Sequence, residues 1–424
     1  VAAQGKPDRN QFAEMHPTRL LAKYAKGTGP QAVAAALERQ GMRIRKHMTT
    51  VPNLMILEAA PAARAAGAQD LHANMRALRA SGLFEYVEPD YRVQANLVPN
   101  DAAFTDGRLW GLLNTGQNGG VRDADIGVAR AWDITNGSTN VIVAVIDTGI
   151  RYTHQDLASQ MWRNPGETPD NGIDDDGDGY VDNVYGINAI TGSGDPFDDH
   201  DHGTHVAGTI GASAGDSGPH VGVCWNVRLM ACRFMAPHPG GGAGGLTSDA
   251  IECIDFAVSK GAKILNNSWG GGGYSQGLYD AIAAARSAGV LFVTAAGNSA
   301  FDTDLYTNYP SCYDLENVIS VAALDRSDNL ALFSNYGRHS VDLGAPGVDI
   351  FSSTAGSDSE YQYFNGTSMA APHVSGVAAL ILARFPGITM AELRQRLIAT
   401  AVPVPALAGG CVSGGRVNAY NALT

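Results

Sequence analysis

The sequence predicts an α/β fold, a doubly wound and mainly parallel sheet, preceded by a small α+β domain of ferredoxin-like order. Three observations predict it. Five short, nearly continuous apolar runs recur beyond residue 126: VIVAVI (141–146), RLMACRF (228–234), KILNNS (263–268), VLFVTAA (290–296) and VISVAAL (318–324). Such runs suit parallel strands covered on both faces. Helical stretches such as SDAIECIDFAVSKG and LYDAIAAARSAG separate them, the alternation of a doubly wound sheet. Residues 17–95 follow a different order, β-α-β-β-α-β.

In that first unit LLAKY reads as a strand. PQAVAAALERQG has Pro near its start and Gly41 as its stop, the marks of a helix. MRIRKHM and NLMILEA are strands joined by a turn at Val51–Pro52–Asn53. In AQDLHANMRALRASG, Leu71, Met75 and Leu78 recur on one helical face and Gly82 ends it. FEYVEPDYRV closes the unit as a strand. ANLVPNDAAFTDG has Pro, Gly and no periodicity, and reads as a linker. The expected division is therefore 1–96, with its core at 17–95, and 97–424.

The chain has 424 residues, 45% hydrophobic and 17% charged, enough for a substantial core. No run of about 18 apolar residues marks a membrane span. The net charge of −13 is unevenly spread. Residues 1–96 carry 13 basic and 8 acidic side chains; the remainder carries 16 and 34. An acidic body argues against a nucleic-acid partner and suits bound cations. Five cysteines leave at least one outside any internal pair. Cys224 and Cys232 flank a strand and stand roughly 25 Å apart if it is extended. Cys232 and Cys253 read as buried thiols. Cys312 and Cys411, in Gly/Pro/Ser-rich segments, are the expected disulfide.

Three motifs carry nucleophilic chemistry. VIVAVIDTGI ends a buried strand on a carboxylate, Asp147; DHGTHVAGTI places His202 and His205 at the start of a small-residue helix; FNGTSMAAPHVSG places Ser368 at the head of another. A serine hydroxyl needs a neutral imidazole to take its proton. The imidazole in turn needs a carboxylate to fix its tautomer. A helix N-terminus favours developing negative charge, and Gly366, Ala370 and Ala371 let a backbone approach. Each motif alone reads equally as a cap, a turn or core packing. The three together, in this order on a parallel α/β pattern, do not.

AVIDTGI, HGTHVAGTI and GTSMAAPHVSG match the three active-site signatures of the subtilisin-like serine proteases, and the resemblance runs from about residue 105 to GGRVNAYNAL. It implies that Asp147 orients the histidine, that His202 is the general base and acid, and that Ser368 attacks the carbonyl. His205 and His373 are then structural. Asn298 of VTAAGNSA matches the oxyanion donor. NNSWGGGG and GAGGLTS match the segments that hold peptide as added strands. Ser268, Trp269 and Gly270 would form one wall, Gly244 and Gly245 the other, with Ser299 and Asn308 at the pocket floor. The N-terminal unit resembles the inhibitor I9-type propeptide of these enzymes. That implies self-cleavage near Asn96–Leu97 and an inhibitory tail with Val93 in an apolar subsite. The family implies a secreted or extracytoplasmic enzyme acting on polypeptides, expected as a monomer, with no catalytic cofactor. A catalytically silent peptide-binding module and a calcium-binding adhesion protein are the alternatives; the complete triad speaks against both.

NGIDDDGDGYVDN (171–183) alternates acidic residues with glycine. Asp174, Asp176, Asp178, the Tyr180 carbonyl and Asp182 are expected to hold a structural Ca²⁺, as hard oxygen donors in a Gly-kinked loop do. The EF-hand pattern is not followed, because no Glu closes it. Asp156 of THQDL and Asp216 of ASAGDSG match a second calcium position of the family.

Overall fold

The computed structural model describes residues 15–61, 70–91, 98–216 and 218–424. The chain divides into two compact units, Val1–Ala95 and Asn96–Thr424.

The first unit runs β1 (Met15–Tyr24), α1 (Pro30–Arg39), β2 (Met42–His47), β3 (Leu54–Ala59), α2 (Leu71–Ala80) and β4 (Phe84–Tyr91). Its sheet is antiparallel in the order β2-β3-β1-β4. The predicted β-α-β-β-α-β order is present. Alternate residues of the central strands, Leu20 and Ala22 with Met55 and Leu57, face the helices and pack on Val33, Leu37, Leu71, Met75 and Leu78. Pro30 opens α1 where a missing N–H costs nothing. Asp70 caps α2 by accepting from the Ala73 N–H at 3.0 Å.

The second unit is built on nine strands. In chain order they are β5 (Gly137–Asp147), β6 (Gly186–Asn188), β7 (Asn226–Arg233), β8 (Ile264–Asn267), β9 (Leu291–Ala295), β10 (Val318–Leu324), β11 (Leu343–Pro346), β12 (Val402–Pro403) and β13 (Gly415–Arg416). Their order across the sheet is β12-β13-β11-β10-β9-β8-β5-β7-β6. Only the β12–β13 pair is antiparallel. The five apolar runs became β5, β7, β8, β9 and β10. Consecutive residues of each serve opposite faces: Val143, Val145, Leu291 and Val293 lie in one core, and Ala144, Ile146 and Phe292 in the other.

One face is covered by α3 (His202–Gly211) and α6 (Thr367–Arg384), the other by α4 (Thr247–Ser259) and α5 (Gln276–Ser287). β5 has β7 on one side and β8 on the other, so the winding reverses at β5. The crevice beyond the carboxyl end of that strand is where ligands bind on such sheets. α6 is buried from Thr367 to Ile381 with one exception, Ser368. Its small residues permit this depth. A side chain on Gly376 would place Cβ 2.5 Å from Val223 Cβ.

The expected Cys312–Cys411 bond is not formed. All five thiols are free. Cys312 Sγ accepts from the Asn308 N–H at 3.2 Å, whereas Cys411 Sγ sits 3.7 Å from Ser413 Oγ. Each sulfur is held by its own loop. No helix among the described residues is long and apolar enough to cross a membrane.

Gly376→Val is expected to overpack the α6 contact and lower stability by about 1–3 kcal/mol, read as a lower midpoint in denaturant unfolding at unchanged m-value.

Candidate active site

Asp147 is the last residue of β5 and is fully buried. A buried carboxylate needs donors on it. Its Oδ1 accepts from the Thr148 N–H at 2.8 Å and from His202 Nδ1 at 2.7 Å. Nδ1 therefore carries a proton, which leaves Nε2 of the neutral ring as an acceptor. Burial pulls the His202 pKa down. The Asp147 charge and hydrogen bond, with a smaller push from Asp198, outweigh burial, and the pKa stands above its ordinary value.

His202 opens α3, and the side chain is 21% exposed. The turn before it is strained: Asp201 has φ 83, and its Oδ1 is held by the Ala355 N–H at 2.7 Å. Gly203 follows because a Cβ there would lie 2.1 Å from the Gly149 carbonyl and 3.2 Å from Asp147 Cβ. His205 is different. It is fully buried, stacks on Phe364 at 4.4 Å, and its Nε2 lies 2.9 Å from the Ile350 carbonyl, which makes Nε2 a donor. Burial, with repulsion from His202, pulls its pKa to about 3. His373 is also buried and pulled to about 4, with Nδ1 on the Met369 carbonyl at 2.8 Å.

Ser368 sits one residue inside α6. Its hydroxyl donates to the Ser268 carbonyl at 2.9 Å, and the Ser268 hydroxyl donates back to the Ser368 carbonyl at 2.8 Å. Pro372 explains the second bond. In a regular helix the residue-372 N–H would serve the Ser368 carbonyl; proline has none, and Ser268 takes that acceptor. Ser268 is 2% exposed. The sequence placed it on a substrate wall; its hydroxyl lies on the Ser368 carbonyl.

Asn298 lies just beyond β9. Its Oδ1 accepts from both the N–H and the hydroxyl of Thr367, each at 2.9 Å, so Nδ2 points away as a donor. The Thr367 hydroxyl also accepts from the Gly297 N–H at 3.1 Å. A Cβ on Gly366 would stand 3.6 Å from Asn298 Nδ2 and 3.5 Å from the Ser368 nitrogen. Two donors thus flank one glycine-kept space. The role of Thr367 was missed in the sequence. Its position between Gly366 and Ser368 was visible, but nothing local shows that its side chain reaches Asn298.

Gly244 and Gly245 form an exposed strand, Ala243–Gly245, paired antiparallel with Met235–Pro237. Trp269 is half-buried against Phe234 at 4.9 Å. A Cβ on Gly270 would meet Asn308 Nδ2 at 3.0 Å, and the next residue, Gly271, donates to the Tyr309 carbonyl at 3.1 Å. Asn308 Nδ2 donates to the Ala296 carbonyl at 3.2 Å, which ties the 308 turn to the end of β9. The Ser299 N–H is held by Asn335 Oδ1 at 3.0 Å.

The acidic loop is rearranged relative to expectation. Ligand atoms of Glu167, Asp174 and Asp176 lie within 4.8 Å of one another. Glu167 was not foreseen, because it precedes the Gly-spaced run. Its Oε2 is buried without a partner among the described residues, an orphan acceptor that a hard cation would satisfy. Asp178 instead pairs with Lys260 at 2.8 Å and Asn183 at 2.7 Å. Both Asp182 oxygens accept backbone N–H groups, from Asn171 and Gly172 at 3.0 Å. Tyr180 donates its phenol to Glu252. Asp178 and Asp182 thus hold protein donors, and it is the Tyr180 phenol, not the carbonyl expected as a ligand, that rests on Glu252.

Asp156 is fully buried, with Oδ2 on the Tyr361 hydroxyl at 2.7 Å and Oδ1 unpartnered among the described residues. Burial pushes its pKa up to about 7, and the charges of Asp216 and Asp101 add to the rise. Asp216 accepts from the Ser213 hydroxyl and from the Gly218 N–H at 2.8 Å. Asp101, 3% exposed and not foreseen, accepts from the Gly215 N–H. Asp156 therefore feels the charge of both Asp216 and Asp101.

Comparison with known proteins agrees with the fold. The model of the subtilase family, Peptidase S8, matches residues 138–419. A thermophilic serine proteinase of Bacillus sp. (strain AK1) is 38% identical over 355 residues, 84% of this chain and 76% of that protein. Subtilisin-like protease 1 of Plasmodium vivax is 36% identical over 299 residues, 66% of this chain and 46% of that protein. A solved structure of a Pseudoalteromonas arctica protease superposes with a TM-score of 0.59 at 32% identity, covering 77% of this chain and 98% of that one. A parallel sheet whose carboxyl edge carries a buried Asp–His pair, with a matching family model and relatives across most of its length, identifies this chain as a member of the subtilase family of serine endopeptidases.

Proposed function

We propose that this subtilase is a secreted, calcium-stabilised endopeptidase that works through an acyl-enzyme, with Asp147, His202 and Ser368 as its triad. The observation that carries the proposal is the 2.7 Å bond between His202 Nδ1 and the buried Asp147, at the same sheet edge as the part-exposed Ser368. In the resting state the Ser368 hydroxyl rests on the Ser268 carbonyl. Catalysis requires it to turn toward His202 Nε2; such bonds commonly tighten only with substrate bound. Ser368 Oγ then bonds to the scissile carbonyl carbon as its proton passes to Nε2. The oxyanion is taken by the Ser368 N–H and Asn298 Nδ2. His202 returns the proton to the leaving nitrogen as the C–N bond breaks. Water repeats the sequence to release the acyl group. In this reading Gly244 and Gly245 form one wall of the peptide groove, and Ser268, Trp269 and Gly270 the other.

Calcium, when bound, supplies positive charge to crowded carboxylates and holds loops in place. Glu167, Asp174 and Asp176 would hold one ion. Asp156 and Asp216, joined by Asp101, would hold a second. The α+β unit acts in this proposal as an intramolecular inhibitor that is cut from the enzyme. Its fold supports this; Val93, Asn96 and Leu97, where the tail and junction were expected, lie outside the described residues. A monomer remains the expected state.

Three outcomes are expected. Incubation with calcium releases a fragment of about the first hundred residues, and Ser368→Ala abolishes both this and labelling by a fluorophosphonate; an uncut, unlabelled wild type without casein hydrolysis would sink the proposal. Only neutral His202 accepts the serine proton, so kcat/KM rises with pH through its pKa. Asp147 raises that pKa, so Asp147→Asn moves the acid limb to lower pH while the plateau falls by roughly 10⁴-fold. Glu167→Gln lowers the melting temperature by roughly 2–5 °C in calcium and little in chelator; equal losses in both would count against the loop site.

A further inference from the structure

The acidic loop contains a cation of its own. Lys260 caps the C-terminal end of α4, and its Nζ lies 2.5 Å from Asp176 Oδ2 and 2.8 Å from Asp178 Oδ2. All three side chains are only 17% exposed. Burial lowers the lysine pKa, but the bonds to Asp176 and Asp178 outweigh it, so the ammonium stays charged. Asp176 is the shared group. The oxygen that holds Lys260 also accepts from Asn164 at 2.9 Å, and Asp176 belongs to the cluster with Glu167 and Asp174.

A divalent cation drawn to that cluster would share one carboxylate with an ammonium. Both are positive, so each weakens the other's hold. We infer that Lys260 is a resident counter-ion that competes with the divalent cation for Asp176 and so sets the affinity of the loop. The inference rests on the proposed cation binding at Glu167, Asp174 and Asp176. Without divalent cation, Lys260 bridges Asp176 and Asp178, offsetting one of their two charges, and keeps the loop seated on α4. With the cation bound, that link is weakened, while the Tyr180 hydroxyl stays on Glu252 of the same helix. The helix begins directly after Gly245 and Leu246, so the loop is moored to the element that leads out of the exposed groove strand.

The test uses the full chain carrying Ser368→Ala, to prevent self-digestion, with calcium binding followed by isothermal titration. The loop site is the one that Glu167→Gln removes. Lys260→Met is expected to tighten that site roughly 5- to 20-fold, and Lys260→Arg to leave it near the parent value. In chelator Lys260→Met should melt below the parent; at saturating calcium the deficit should vanish or reverse. A purely structural ion pair would instead cost the same in both conditions. Unchanged affinity in Lys260→Met, or equal melting losses with and without calcium, overturns the inference alone. Absence of any calcium uptake that Glu167→Gln removes overturns the loop site and the inference together.

Discussion

The second unit depends on one buried charge. Asp147 stands at the end of β5, fully enclosed, with β7 and β8 on either side. An unpaired carboxylate there would cost several kcal/mol. It is tolerated because the Thr148 N–H and His202 Nδ1 both donate to it. That requirement fixes much else. It brings the first turn of α3 against the strand end, demands glycine at 203, and holds Asp201 in a left-handed conformation that the Ala355 N–H secures. It also sets the imidazole tautomer, leaving Nε2 free to accept.

The surroundings of Ser368 are arranged by what backbone groups lack. Pro372 withholds a hydrogen bond from the Ser368 carbonyl, and Ser268 supplies one from the end of β8. Thr367 takes the Asn298 carbonyl oxygen on two donors, which turns the amide nitrogen outward. A helix start, one proline and two strand ends therefore position three polar groups without a long side chain among them. Small residues throughout α6 let it sink into the core, so these positions rest on a rigid element and not on a loop.

The acidic body is managed by two different means. Around Asp156, burial, with the charges of Asp216 and Asp101 adding to it, raises the carboxyl pKa to about 7, and one buried oxygen has no partner among the described residues. In the 171–183 loop, backbone N–H groups, Asn164, Asn183 and Lys260 donate to the carboxylates. Glu167 Oε2 is left over. The first region is electrostatically incomplete by itself. The second already carries a partial substitute for a divalent ion.

The sequence by itself determined the fold class, the order of elements in both units and the identity of Asp147, His202, Ser368 and Asn298 as candidates. The fold was legible because it rests on local periodicity; the four residues were legible because they stand in short contiguous motifs that resemble the family's signatures, and the resemblance alone chose His202 over His205 and singled out Asn298. The tertiary structure decided which neighbours complete them. Thr367 on Asn298, Ser268 on Ser368, Glu167 and Asp101 beside the expected acidic residues, and Lys260 on the loop all join residues between 7 and more than 100 positions apart. It also parted Cys312 from Cys411 and gave Asp178 and Asp182 protein partners that no local pattern announces. Hydrogen-bond partners and charge neighbours are set by where strands and loops meet in space, and no single stretch of sequence encodes that meeting.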